Sequence, residues 1–157
     1  MSTAPAPHIV VLNGPNLNLL GTREPQIYGT LTLAALEDRV VTYGRERGVH
    51  VRCEQHNGEG QLIDALHRLV DWADGIVLNP AAYTHYSIAI RDAIAAIPTP
   101  VVEVHLTRLA DRALSEPFRA ISVTAERCIA QIDGLGVDSY LRGLDALLAH
   151  FAARAER

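Results

Sequence analysis

Short aliphatic runs alternate with segments of helical periodicity along the chain. The runs His8 to Asn13, Val49 to Gln55, Gly75 to Asn79 and Pro100 to His105 are rich in β-branched residues. Such runs predict buried strands. A weaker fifth strand is predicted near Ala120 to Thr124.

Between these runs, the spacing of apolar residues predicts helices. We expect helices from Thr32, a capping residue, to about Arg47, and over Gln61 to Ala73, Tyr86 to Ile97 and Asp138 to about Ala155. The segment from Leu106 to Arg119 has an irregular, polar pattern. Alternation of this kind predicts an α/β, flavodoxin-like three-layer sandwich, with a five-stranded parallel sheet of order 2-1-3-4-5 and helices on both faces.

Length and composition predict a single domain over residues 8–157, long enough to bury a hydrophobic core. A disordered lead-in over residues 1–7 (MSTAPAP) precedes it. The lead-in lacks the basic and apolar regions of a signal peptide. No run of the sequence approaches the ~18 apolar residues that a membrane span needs. Cys53 and Cys128 lie in apolar-patterned segments, which favours a reducing, cytoplasmic location.

The charged residues exclude several classes of function. A formal net charge of −4 offers no basic surface of the kind that binds nucleic acid. All 14 residues counted as Lys or Arg are arginine, so neither a lysine Schiff base nor a Walker-type phosphate loop can be built. The 7 histidines have none of the short spacings of metal ligands, and we expect no metal site.

Polar residues gather where the predicted strands end. Asn13 and Asn16 follow the first strand, Asn57 and Glu59 the second, Asn79 and His85 the third, and Glu103 and His105 end the fourth. Ligands of parallel α/β sheets bind beyond the carboxyl ends of the strands. The sequence therefore predicts a functional site at this edge.

Glu103 and His105 are two residues apart on a predicted strand and so share a face. A carboxylate beside an imidazole fixes its tautomer and raises its basicity, which suits a general acid near neutral pH. The alternative is a solvated strand end. Burial in a central strand favours the pair, because an unpaired buried carboxylate is costly.

The loop from Gly14 to Gly29 is longer than the roughly 2–6 residues of an ordinary βα connection, and long loops often serve as lids. Within it, Arg23 lies close to Tyr28 and can stabilise a tyrosinate; alternatively, Tyr28 anchors the loop by packing. Ionising a phenol near neutral pH requires roughly 4 kcal/mol. One partly exposed arginine does not supply that, so we expect a second cation.

Four segments, LNGPNLNLLGTREPQIYG, NGEGQLIDALH, LNPAAYTHYSIAIRDA and PVVEVH, resemble the type II 3-dehydroquinate dehydratases. The resemblance extends from about Ile9 to Leu147. It implies a homododecamer built of four trimers that needs neither metal nor cofactor. It also implies anti elimination of water from 3-dehydroquinate through an enolate, in the shikimate pathway or in quinate catabolism.

The resemblance further implies the roles of individual residues. Tyr28 would take the proton from C2, Arg23 would stabilise the tyrosinate, and Asn16 would position a water at the enolate oxygen. His105 would protonate the departing C1 hydroxyl, oriented by Glu103. The implied substrate-binding residues are Asn79, His85, Leu106, Thr107, Arg119 and, reaching a neighbouring subunit, Asp92.

The chain departs from the family's usual pattern between residues 106 and 130. Arg108 stands where asparagine is usual and is expected to add charge near the pocket for the substrate carboxylate. The 106–118 segment is longer than usual, and Ala130 replaces a glycine. Two alternatives stay open: a related lyase for a different cyclic polyol acid, and a non-catalytic, ligand-binding homologue. For Asp92, an ordinary surface pair with Arg91 is the alternative.

Overall fold

A computed structural model describes residues 4–157. Its strands are β1 (His8–Asn13), β2 (His50–Gln55), β3 (Gly75–Asn79), β4 (Val101–Val104) and β5 (Ala130–Ile132). Its helices are α1 (Pro25–Tyr28), α2 (Leu33–Glu46), α3 (Glu59–Leu69), α4 (Ile88–Ala96), α5 (Leu109–Arg112) and α6 (Val137–Ala155). Short 3-10 helices span Leu17–Leu19, Ala81–His85, Pro117–Ala120 and Ala125–Arg127. Of the predicted lead-in, residues 1–3 lie outside the described residues.

The strands form one parallel sheet in the order β2-β1-β3-β4-β5. Val11 pairs with Cys53 on one side and with Val77 on the other, so β1 is central. Glu103 of β4 lies between Leu78 of β3 and Gln131 of β5. The predicted strand order and fold class are confirmed.

Alternate residues of the strands point to opposite faces, and each face is covered by two helices. On one face, Val11 and Val77 pack with residues of α2 and α6, including Leu36 and Leu144. On the other face, residues such as Leu12 pack with α3 and α4. This explains why the central strands read as continuous apolar runs. None of the helices in the described part of the chain has the length and hydropathy that a membrane crossing needs.

The predicted fifth strand near Ala120 to Thr124 is wrong, because the fifth strand is Ala130–Ile132. The earlier segment crosses the carboxyl edge of the sheet instead of joining it. Ile121 is 62% exposed, whereas the buried Thr124 turns its hydroxyl towards Glu103. Short helices also occur in the segment predicted to be irregular, and α5 is the one that matters for the site.

Helix α6 crosses the sheet at a position where it has no side chain. A β-carbon added to Gly143 would lie 3.0 Å from Val104 Cγ1 and 3.2 Å from Val77 Cγ1. Glycine therefore permits the close approach that covers β3 and β4 with Tyr140 and Leu144.

We expect Gly143→Val to lower the free energy of unfolding by about 1–3 kcal/mol, because the added methyl groups overpack this contact. The matched control is Gly60→Val in α3, where an added β-carbon meets no atom within 4 Å. Its stability should stay within about 0.5 kcal/mol of the starting protein. Urea unfolding measures both variants, and equal stability of the two would contradict the close-packing argument.

Candidate active site

A cavity opens at the carboxyl edge of the sheet and is lined mostly by polar side chains. Its lining residues are Pro15, Asn16, Leu17, Arg23, Tyr28, Asn79, Ala81, Ala82, His85, His105, Leu106, Thr107, Leu109, Arg112 and Arg119. The structure therefore brings together all of the predicted site residues except Glu103 and Asp92. Glu103 lies directly behind His105, and Asp92 lies elsewhere on the surface.

The floor of the cavity is held by a buried chain of hydrogen bonds between strand ends. The hydroxyl of Tyr140 donates to Asn13 Oδ1 (2.7 Å) and accepts from Asn79 Nδ2 (2.8 Å). Asn79 Oδ1 accepts from the backbone N–H of Ala81 (3.0 Å). Burial raises the pKa of Tyr140, so its hydroxyl keeps the donating proton. The amide of Asn79 is thereby held in one orientation at the floor.

Asn16 is presented by a backbone turn that other amides support. Its φ of 68° lies in the left-handed region, which asparagine tolerates better than most residues. Its N–H donates to Asn57 Oδ1 (3.0 Å), which also accepts from Gln55 Nε2 (2.9 Å). Gln55 donates in addition to the carbonyl of Gly14 (3.1 Å). The end of β2 thus secures the loop that carries Asn16.

Tyr28 ends helix α1 and contacts two arginines. Arg112 Nη1 donates to the Tyr28 hydroxyl oxygen at 2.9 Å. The Arg23 guanidinium carbon lies 5.0 Å from the centre of the Tyr28 ring. The Arg112 side chain is only 14% exposed, so its charge is poorly screened by water. Arg112 is a second cation beside Tyr28, and sequence reasoning did not identify it.

Glu116 joins Arg112 to Arg119, another of the three arginines that line the cavity. Its carboxylate accepts from Arg112 Nη2 (3.3 Å) and from Arg119 Nε (3.1 Å). The bonds from Arg119 and Arg112 hold the pKa of Glu116 below its usual range, so the carboxylate stays ionised. Two guanidinium groups are thus positioned side by side although each carries a positive charge.

Helix α5, which carries Arg112, takes its cap from a distant residue. The N–H of Leu109 donates to Asp133 Oδ2 (2.8 Å), whereas Arg108 at the capping position makes no such bond. The Arg108 side chain is exposed, and its stem packs against Gly134. Arg108 is not itself among the lining residues, although its chain neighbours Thr107 and Leu109 are.

His105 and Glu103 form the buried pair that the sequence predicted. His105 Nε2 lies 2.7 Å from Glu103 Oε1, and the Glu103 side chain is 0% exposed. Burial alone would raise the pKa of Glu103, but the bond and charge of His105 and the hydroxyls of Thr124 and Thr84 outweigh it. Together they lower the pKa of Glu103 to about 2. The pair is not a solvated strand end.

His85 is held on another side of the cavity. Its Nδ1 lies 2.7 Å from the carbonyl oxygen of Ile121, and its ring meets the edge of Phe118. Burial lowers the pKa of His85, and the nearby Arg119 charge acts in the same direction. His85 is therefore neutral at physiological pH. It donates from Nδ1 to the carbonyl and leaves Nε2 as an acceptor.

Asp92 stands apart from the cavity. Its side chain is 66% exposed and lies 3.3 Å from Arg91 Nη1. Within this chain it therefore belongs to a surface pair. Among residues 4–157, no group of three histidine, cysteine or acidic side chains is placed to hold a metal ion.

The chain is similar to known proteins over most of its length. Residues 7–148 match the model of the family described as "Dehydroquinase class II". A 3-dehydroquinate dehydratase of Carboxydothermus hydrogenoformans is 53% identical over 146 residues, 93% of each chain. One from Ruegeria pomeroyi is 50% identical, covering 95% of this chain and 98% of that protein. The crystal structure of a type II dehydroquinase from Butyrivibrio crossotus superposes with a TM-score of 0.87 at 42% identity, covering 92% of this chain and 99% of that one.

We expect Asp133→Ala to loosen α5, because the cap at Leu109 is lost. Amide exchange over residues 109–113 should become roughly tenfold faster, the effect of losing one helix cap. Hydrogen–deuterium exchange with mass spectrometry measures this. Asp111→Ala, which removes an acidic residue of the same helix that is not the cap, is the control. Equal exchange in the two variants would contradict the capping role of Asp133.

Proposed function

The chain belongs to the class II dehydroquinase family, and from this premise we propose how its cavity dehydrates 3-dehydroquinate to 3-dehydroshikimate. The chain is a lyase, a 3-dehydroquinate dehydratase of the shikimate pathway. The observation that carries the mechanism is the presence, in one cavity, of a tyrosine bonded to an arginine and a histidine bonded to a buried carboxylate.

Tyr28 is the base in this proposal. Its oxygen takes the proton from C2 of the substrate, and the electron pair of the C–H bond moves to the C3 carbonyl oxygen, which gives an enolate. The bond from Arg112 and the nearby Arg23 guanidinium support the proposal, because they place two positive charges beside the Tyr28 side chain. Asn16 positions a water at the enolate oxygen, where negative charge develops.

His105 is the acid. When the enolate collapses to the C1–C2 double bond, the C1–O bond breaks and His105 gives a proton to the departing hydroxyl, which leaves as water. Tyr28 has then gained one proton and His105 has lost one, so both exchange with solvent before the next turnover. The bond that Glu103 accepts from His105 Nε2 supports this role, because it orients the ring.

The remaining lining residues hold the substrate. Leu106 and Thr107 receive its carboxylate, and their loop is fixed because their carbonyls accept from the N–H groups of Gly136 (3.0 Å) and Gly134 (3.1 Å). Asn79 holds the C1 hydroxyl near His105. The remaining ring hydroxyls are bound by His85 and Arg119.

The two alternatives gain no support from the site. A different cyclic polyol acid was suggested by Arg108 and by the longer 106–118 segment. The exposed Arg108 side chain lies outside the cavity lining, and the segment supplies Arg112, which bonds to Tyr28. A non-catalytic role was suggested by the altered segment after Arg119. That segment supplies Ser122 and Thr124 as donors to Glu103, which supports the catalytic pair.

We also propose that the active form is a homododecamer of four trimers, located in the cytoplasm. The exposed Asp92 carboxylate is free to reach the cavity of a neighbouring subunit. Tyr86, Phe118 and Ile121 expose 62%, 56% and 62% of their surface near His85, which suits a subunit contact. The free thiols of Cys53 and Cys128 suit a reducing compartment.

The first experiment follows the absorbance of the conjugated enone product after 3-dehydroquinate is added in the presence of chelator. Wild-type protein should turn over. Tyr28→Phe should lose roughly 10³-fold in kcat while still binding substrate, because the proton acceptor is gone. Arg112→Met should lose at least about 10-fold, because the tyrosinate loses its hydrogen bond.

Arg45→Met is the control, since Arg45 is exposed on α2, away from the cavity. Its kcat should equal that of wild type. Full activity of Tyr28→Phe would remove Tyr28 as the base. A wild-type protein that is folded and assembled but inert would contradict the proposed function itself.

The second experiment tests the shared site. Asp92→Ala and Tyr28→Phe proteins should each have low activity, and mixing them during reassembly should restore part of it. In mixed assemblies, some cavities combine the intact Tyr28 of an Asp92→Ala chain with the intact Asp92 of a neighbouring Tyr28→Phe chain. Sedimentation should show twelve chains in each assembly. No recovery on mixing, or full activity of Asp92→Ala, would place Asp92 outside every site.

A further inference from the structure

The Glu103 carboxylate receives more hydrogen bonds than are needed to orient His105. One bond, from His105 Nε2, fixes the ring. Four additional side chains, which we call the carboxylate cradle, also bond to Glu103: Thr84, Ser122, Thr124 and Gln131. None of the four is among the residues that line the cavity.

The cradle occupies both oxygens of the carboxylate. Oε1 lies 2.5 Å from Thr84 Oγ1, 3.1 Å from Ser122 Oγ and 3.1 Å from Gln131 Nε2. Oε2 lies 2.6 Å from Thr124 Oγ1. The donors come from separate parts of the chain, and Gln131 arrives from β5 directly opposite Glu103 in the sheet register. Their convergence on one carboxylate is a feature of the tertiary fold.

The cradle donors influence whether the proton shared by Glu103 and His105 lies on the carboxylate or on the imidazole. Between Oε1 and Nε2 the pair holds one proton, either as carboxylate with imidazolium or as carboxylic acid with neutral imidazole. Hydroxyl and amide donors stabilise the carboxylate much more than the carboxylic acid. A neutral imidazole is a far weaker acid than an imidazolium.

We propose that the carboxylate cradle is a set of positioning residues that keep His105 in its imidazolium form, so that Nδ1, the ring nitrogen not bonded to Glu103, can give its proton to the leaving hydroxyl. This inference rests on the proposed function, because it assigns His105 as the acid. The cradle residues touch neither the substrate nor the reacting atoms, and they act through Glu103.

The other ionisable groups around the pair do not take over this task. His85 and Cys128 are close enough to interact electrostatically with Glu103. Burial lowers the pKa of His85 and raises the pKa of Cys128, so both are uncharged near neutral pH. The other charged or ionisable side chains that line the cavity are Arg23, Arg112, Arg119 and Tyr28. None of them bonds to Glu103.

The direction of the pH effect follows from the same balance. Removing a cradle donor makes the carboxylate a stronger base. The pair then keeps its single proton to higher pH, but that proton resides more on Glu103. We therefore expect the basic limb of the kcat–pH profile to move to higher pH while the plateau falls.

Thr124→Val is the sharpest test, because it preserves the shape of a fully buried side chain and removes the donor to Oε2. We expect a plateau roughly tenfold lower, a basic limb higher by about half to one pH unit, and a nearly unchanged KM. Gln131→Leu, at the exposed edge strand, should act in the same direction with little risk to folding. Thr124→Ser should restore both values.

Thr99→Val is the matched control, since Thr99 is also buried and makes no bond to Glu103. Its profile should match that of wild type. A lower plateau with an unmoved limb would show a merely structural role and overturn the proposal. So would a limb that moves to lower pH, or a Thr124→Val profile equal to the control.

Nitrogen NMR of ¹⁵N-histidine-labelled protein tests the cradle without turnover, with the His105 signals assigned from a His105→Gln variant. In Thr124→Val, the ring shifts of His105 should move towards those of neutral imidazole at the pH of the plateau. Unchanged shifts would overturn the proposal. If the wild-type protein is inert but the His105 shifts move in Thr124→Val, the proposed dehydratase activity is contradicted while the effect of the cradle on His105 is supported.

Discussion

The burial of one charged carboxylate at the end of β4 is the constraint on which the rest of the site depends. A carboxylate in a dry interior is costly unless hydrogen bonds replace its water shell. Glu103 meets this requirement with His105 and with hydroxyl and amide donors from distant segments. The chain after α5 therefore crosses the carboxyl edge of the sheet, where Thr124 reaches Oε2, before it returns as β5.

The floor of the cavity is held by buried hydrogen bonds, whereas its cover consists of the two short helices α1 and α5. At the floor, the Asn13–Tyr140–Asn79 chain ties β1, β3 and α6 together in the buried interior. At the cover, Tyr28 sits on a helix of one turn, and its main polar contact is Arg112 on another short helix. Short helices gain little from their own hydrogen bonds and depend on tertiary contacts. The position of Tyr28 therefore depends on its contact with Arg112.

Apolar patterning predicted the sheet well and its edge poorly. The bounds of β1 and β3 match the aliphatic runs, because both strands are buried on both faces. Strand β5 has three residues and a partly exposed pattern, so it leaves almost no signal in the sequence. In the site, the sequence led us to expect a second cation near Tyr28, but only the placement of α5 brings Arg112 to that position. Asn57 and Asp133 act through backbone N–H groups of other segments, and no local motif marks such contacts.

Two features that the sequence marked as unusual, Arg108 and the 106–118 segment, lie at or beside the cavity, and the segment includes Arg112, which bonds to Tyr28. Arg108 points to solvent, and the cap of α5 comes from Asp133 instead. The longer 106–118 segment contains Glu116, which holds Arg112 and Arg119 together. A change at a residue such as Glu116 or Asp133 alters how firmly the neighbouring side chains of the cavity are held, but it does not change the chemical groups that line the cavity. Through Glu116 and Arg112, the 106–118 segment therefore bears on how Tyr28 is held in the cavity.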